Sequence, residues 1–195
     1  ALFAQNGIHV FLSPSFVSTP MVSLATAQRQ ATAGVIITAS HNPPEYSGFK
    51  VKGSFGGPAF PEMIADIETR IKDQAPETSL SFEEALAAGK IEYYDMEALY
   101  MNHIRGTFDL DSFEKSDLKL GYDAMYGAGQ RVFAKLFPKA YLLNCDFNPG
   151  FKGQAPEPIE KNLKPFQKLV VGNKLDWGLA TDGDADPLGV FVVKG

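Results

Sequence analysis

Short apolar runs bounded by turn residues alternate with helix-patterned segments along this chain. That alternation constrains the fold most, because strands separated by helices pack as an α/β sheet with ligands outside the strand carboxyl ends. Ile8–Leu12 predicts a strand, and Thr19-Pro20 starts a helix, with Thr as N-cap and Pro at the first helical position, running to about Thr32. Val35-Ile36-Ile37 is a dense β-branched run of the kind expected in a strand buried on both faces. Phe49–Lys52 predicts another strand, and Pro61 opens a helix to about Asp73 with Met63, Ile64, Ile67 and Ile71 on one face. Gln74–Lys90 is weakly periodic, and Glu92–Phe108 predicts a helix leading to a boundary near Asp109–Ser116.

A second block follows: strand Leu118–Asp123, helix Gln130–Phe137, strand Tyr141–Cys145, loop Asp146–Pro158, helix Glu160–Val171 and strands Trp177–Ala180 and Leu188–Val193. The expectation is two consecutive α/β units of βαβ type with mixed sheets, 1–108 and 109–195. Ala1–Ala4 reads as the last turn of a helix stopped by Gly7, so the first unit is expected to be N-terminally incomplete.

With 45% apolar and 21% charged residues among 195, the profile is that of an ordinary soluble globular chain. A net charge of −5 without basic clusters argues against a nucleic-acid partner, and no apolar run is long enough to span a bilayer. Cys145 is the single cysteine, so no internal disulfide forms; a cytoplasmic chain with an inert, strand-buried thiol is expected.

Two loops carry chemistry-bearing residues. Thr38-Ala39-Ser40-His41-Asn42-Pro43 leaves a strand directly, which holds Ser40 at the sheet rim as a nucleophile or phosphate carrier. His41 beside it can donate a proton near neutral pH, and Gly48-Phe49-Lys50 returns an ammonium group suited to phosphate. No Gly-x-Ser-x-Gly elbow supports a hydrolase serine. Asp182-Gly183-Asp184-Ala185-Asp186 places three carboxylates at alternating positions, which in an extended stretch point the same way. Without a cation they would repel by roughly several kcal/mol. All-oxygen ligation suits Mg²⁺ or Ca²⁺. An EF-hand fails, since its Gly and Glu positions hold Pro187 and Val193. Gly127-Ala128-Gly129 lacks the third glycine of a dinucleotide loop, where Val132 stands, and is expected to turn the chain tightly into its helix. His9 and His103 stand alone and are expected to be structural or exposed.

Taken together, the loops resemble the α-D-phosphohexomutase superfamily, which includes phosphoglucomutases and phosphomannomutases. Thr38 to Pro43 match its active-serine signature, Tyr46-Ser47-Gly48-Phe49-Lys50 resembles its Tyr-Asn-Gly-x-Lys segment, and Asp182 to Asp186 match five positions of its Asp-Gly-Asp-x-Asp-Arg loop. Phe151 to Leu163 also looks like the family's second domain. The resemblance implies that Ser40 carries a phosphoryl group and ligates one Mg²⁺ with Asp182, Asp184 and Asp186. Thr38, Asn42 and Lys50 would bind phosphate, and Lys50 and His41 would orient it or assist proton transfer. It further implies interconversion of hexose 1- and 6-phosphates, with a hexose 1,6-bisphosphate as phosphorylating activator, and leaves glucose and mannose open. The family has four domains, so this chain is expected to be a piece covering most of two, with little turnover alone. The family Arg is Pro187 here, and a non-catalytic protein that kept the fold is the alternative it raises.

Overall fold

The computed structural model describes residues 1–74, 76–77 and 79–192. Elements run in the order α1 (Leu2–Gln5), β1 (Val10–Leu12), α2 (Thr19–Gln28), β2 (Ala33–Thr38), β3 (Gly48–Gly53), α3 (Pro61–Arg70), α4 (Phe82–Ala87), β4 (Ile91–Tyr93), α5 (Met96–Thr107) and α6 (Leu110–Lys115). They continue with β5 (Leu120–Asp123), α7 (Gln130–Leu136), β6 (Tyr141–Leu143), a 3₁₀ turn (Phe151–Gly153), α8 (Lys164–Gly172), β7 (Trp177–Thr181) and β8 (Leu188–Val192). The chain is mixed α/β, as the alternation predicts, with the Val193 end of the last expected strand outside the described residues.

In the first part β1 pairs in parallel with β4, Val10 opposite Ile91, and β2 pairs antiparallel with β3, Ile36 opposite Lys50. In the second, the sheet order is β6-β5-β7-β8: β5 is parallel to both neighbours and β8 antiparallel to β7. β5 is therefore an inner strand, and all four of its residues are buried. Phe166 and Val170 of α8, with Leu175, pack over one face against Ala180 of β7. Phe133 of α7 lies flat on Tyr122 on the other, ring centroids 3.8 Å apart. A third cluster joins the two parts: Met21, Val22 and Ala25 of α2 pack with Ile36, Met96, Met101 and Val132 of α7.

Several local expectations are corrected. β2 is not buried on both faces; Ile36 points into the core while Ile37 is 63% exposed, because α2 covers only one side of the β2–β3 pair. The expected helix at Glu92 gives way to β4, and α5 starts only where Asp95 accepts a hydrogen bond from the Ala98 N–H at 2.9 Å. The last helix begins four residues later than Glu160, with Leu163 as N-cap and Pro165 in its first turn. The helix opened by Pro61 stops at Arg70, and Met63 and Ile67 on its apolar face are exposed. Ser18, not Thr19, is the N-cap of α2. Cys145 lies beyond β6, half-buried, its thiol pushed up to about 11 mainly by burial. No helix among the described residues is long and apolar enough to cross a membrane.

The carboxyl ends of β1, β2 and β7 meet on one side. The segments that follow them bring up Ser18 and the first residue of α2, Thr19, then Ser40 and the three aspartates.

Candidate active site

Thr38 ends β2, and Ser40 follows in the left-handed region at φ 53°. For a residue with a Cβ that backbone costs about 1–2 kcal/mol. Hydrogen bonds from Ser40 N–H to Thr38 Oγ1 (2.8 Å) and from Asn42 N–H and Nδ2 to the Ala39 carbonyl (3.0 and 3.1 Å) hold it there. Asn42 thus shapes the turn, and the His41 side chain stands exposed beside it.

The aspartate loop meets Ser40 from the opposite side. The three carboxylates converge because the chain turns, not because it stays extended as expected: Ala185 is left-handed at φ 57°, and Asp186 N–H donates back to Asp182 Oδ1 at 3.1 Å. One oxygen from each of Asp182, Asp184 and Asp186 lies within 4.8 Å of the others. The Ser40 hydroxyl is 2.9 Å from Asp182 Oδ2 and 3.3 Å from Asp184 Oδ1. The two backbones touch at Gly183, where a Cβ would be driven into the Ser40 carbonyl oxygen and to 3.0 Å from Pro156. Gly127 admits the same loop from behind, since a Cβ there would sit 2.6 Å from the Asp182 carbonyl oxygen. That glycine serves close approach between loops as well as the expected tight turn: residues 127–129 turn directly into α7 with Gly129 as its N-cap, after Met125 and Tyr126, both at positive φ.

Charge is distributed unevenly over the loop. Burial, then repulsion from Asp184, pushes the Asp182 carboxyl up to about 7. Burial also works against ionised Asp184, but the Lys50 ammonium and the Thr19 hydroxyl outweigh it and hold that group below its ordinary value. Lys50 Nζ lies 2.7 Å from Asp184 Oδ2, 3.0 Å from Asp186 Oδ2 and 3.5 Å from Ser40 Oγ. Burial disfavours its charge, yet these pairings keep its pKa above the ordinary lysine value. Thr38 is engaged inside the cluster, donating to Asp184 Oδ2 at 3.1 Å.

The structure thus brings Thr38, Ser40, Lys50, Asp182, Asp184 and Asp186 into one cluster, with Asn42 supporting the turn and His41 at its edge. His9 and His103 are exposed elsewhere. The donor set fits a hard divalent ion: every candidate ligand is an oxygen, and the carboxylates carry more negative charge than Lys50 offsets. Sequence reasoning missed Thr19, whose hydroxyl donates to Asp184 Oδ2 at 3.0 Å and whose N–H donates to the Asp184 carbonyl at 2.9 Å. The available signal was its place just beyond the carboxyl end of β1, the rule that singled out the other two loops.

Two family models cover most of the chain: phosphoglucomutase/phosphomannomutase alpha/beta/alpha domain I matches residues 1–78, and domain II matches residues 98–195. The chain belongs to the phosphoglucomutase/phosphomannomutase family. It is 34% identical over 201 residues to a phosphoglucomutase of Neisseria meningitidis serogroup B, covering 99% of this chain and 40% of that protein. A phosphoglucosamine mutase of Alkaliphilus metalliredigens is 32% identical over 193 residues, covering 95% of this chain and 41% of its own length. A crystal structure from Thermus thermophilus, assigned as a phosphomannomutase, superposes with a TM-score of 0.83 at 32% identity, covering 97% of this chain and 43% of that one. The chain therefore spans about two fifths of the length of these curated relatives.

Proposed function

We propose that this chain carries the phosphoryl-transferring part of a phosphohexomutase site, in which a phosphorylated Ser40 gives its phosphoryl group to a hexose monophosphate and takes back the other phosphate, 1 or 6, of the resulting bisphosphate. The observation that carries this reading is the Ser40 hydroxyl, 2.9 Å from Asp182 beside three converging carboxylates that offer a metal only oxygen ligands. A resident Mg²⁺, held by Asp182, Asp184, Asp186 and the Ser40 oxygen, would draw charge from the transferring group.

The chain's own residues supply the rest. The left-handed backbone at Ser40 points its hydroxyl at the aspartate loop; as the Oγ–P bond forms and the sugar O–P bond breaks, the hydroxyl proton passes to Lys50 and replaces the one that Lys50 gives up. Lys50, 3.5 Å from Ser40 Oγ, steadies the phosphoryl oxygens and donates to the departing sugar oxygen. His41 and Asn42 border the open side where phosphate arrives. A small sugar phosphate as partner, a hexose 1,6-bisphosphate as the priming phosphoryl donor, a cytoplasmic setting and a division into units at 108/109 belong to the same reading.

The test is the intact mass of the chain after exposure to glucose 1,6-bisphosphate with Mg²⁺. We expect a gain of one phosphoryl group that disappears with Ser40→Ala or with chelator. A gain unaffected by Ser40→Ala contradicts the proposal. Pro187, exposed where the family pattern has Arg, favours a second reading in which the site binds sugar phosphate without transfer. Under it, neither the native chain nor Pro187→Arg gains mass, while equilibrium dialysis still detects bound bisphosphate.

A further inference from the structure

We propose that Thr19 is a positioning residue for Asp184, fixing which carboxylate oxygen is offered to the metal and to Ser40. The inference rests on the aspartate loop being a Mg²⁺ site. Asp184 Oδ2 accepts from Thr19 Oγ1 at 3.0 Å, Thr38 Oγ1 at 3.1 Å and Lys50 Nζ at 2.7 Å, so this oxygen is saturated with donors. Oδ1 is thereby turned toward Ser40 Oγ, 3.3 Å away.

Thr38 and Lys50 both belong to the β2–β3 pair that carries Ser40, so they move with the serine loop. Thr19 is the donor from another element, the first residue of α2, and it grips Asp184 twice. Its N–H, one of the donors a helix leaves unpaired in its first turn, goes to the Asp184 carbonyl at 2.9 Å, and its hydroxyl goes to the carboxylate. Thr19 is 2% exposed and Asp184 3%, which leaves little room for water to replace a lost donor. Thr19 sits on the helix that forms the core with Ile36 and Met96, so the grip ties the aspartate loop to the packed centre of the first unit.

The experiment is calorimetric titration of the 195-residue chain with Mg²⁺, comparing the native protein with Asp184→Asn, Thr19→Val, Thr19→Ser and Val22→Ala. Thr19→Val keeps shape and the backbone bond but removes the hydroxyl. We expect it to weaken Mg²⁺ binding by about tenfold or more, the range seen when a partner orienting a metal ligand is lost. Thr19→Ser should restore most of the affinity. Val22→Ala, on the same helix and in the core, should lower the melting temperature but leave affinity unchanged. Native affinity in Thr19→Val, or an equal loss in Val22→Ala, overturns the positioning role. If Asp184→Asn binds Mg²⁺ as the native chain does, the metal reading itself fails and takes this inference with it.

Discussion

Asp182 is fully buried beside Asp184, which makes its ionised form unfavourable in the folded chain. Its carboxyl is pushed up to about 7 from an ordinary 3.8, so the folded state holds a proton that the unfolded state has released. That contribution to stability is full below the unfolded value, falls as pH rises, and is gone once pH passes the folded value. In chelator, the melting temperature of the native chain should therefore decline relative to Asp182→Asn between about pH 4 and pH 7. Parallel curves for the two proteins contradict this account. Added Mg²⁺ should raise the native melting temperature more at about pH 8 than at about pH 5, because only the ionised carboxylate is a ligand. Asp184 works in the opposite sense: held below its ordinary value, it contributes stability that is lost only as acid protonates it. Ser40 and the three aspartates were legible because each sits in a short motif with a chemical reason. Thr19 was not, since its hydroxyl finds Asp184 across 165 positions and only its place beyond the carboxyl end of β1 pointed to the site.

At the scale of elements, the serine and aspartate loops meet with no room for a side chain at Gly183. Gly183→Ala should force the backbones apart, lowering stability by about 1–3 kcal/mol and weakening Mg²⁺ binding; a denaturant midpoint and a titration read both. Unchanged values would show that the loops do not need this contact. The α5–α7 connection is a second test. Glu97 accepts from Arg131 Nε at 2.7 Å and from Lys135 Nζ at 2.6 Å, while Arg131 also donates to the Phe16 carbonyl at 2.7 Å and lies over the Phe16 ring. Arg131→Met should cost about 1–2 kcal/mol of stability by chemical denaturation. The alternation of strands and helices was visible from periodicity, but how deeply each element is buried was not. Val35-Ile36-Ile37 has the composition of an inner strand, and only its pairing with β3 and its one-sided cover by α2 decide that Ile37 stays open. Likewise Ile91 became a strand because Val10 lies opposite it.

For the whole molecule, membership of the phosphoglucomutase/phosphomannomutase family is carried by both family models and by a TM-score of 0.83, not by the site alone. The groove of about 520 Å³ between the β7–β8 face and helices α5, α6 and α7 was not legible in the sequence. Its lining, including Ile104, Phe108, Phe113, Phe133 and Leu188, comes from segments far apart along the chain. This apolar surface should bind the dye ANS, and Leu188→Lys should lower the fluorescence without changing the circular dichroism. Dye binding unaffected by that change would place the accessible apolar surface elsewhere.

In the proposed function Ser40 is a carrier, giving back what it takes. The chain would be loaded with labelled phosphoryl from glucose 1,6-bisphosphate, freed of donor, and mixed with glucose 6-phosphate and Mg²⁺. Label leaving the protein and appearing in the bisphosphate is the predicted result. A label that stays on Ser40 as an inert ester would make the serine a modified residue and not a carrier.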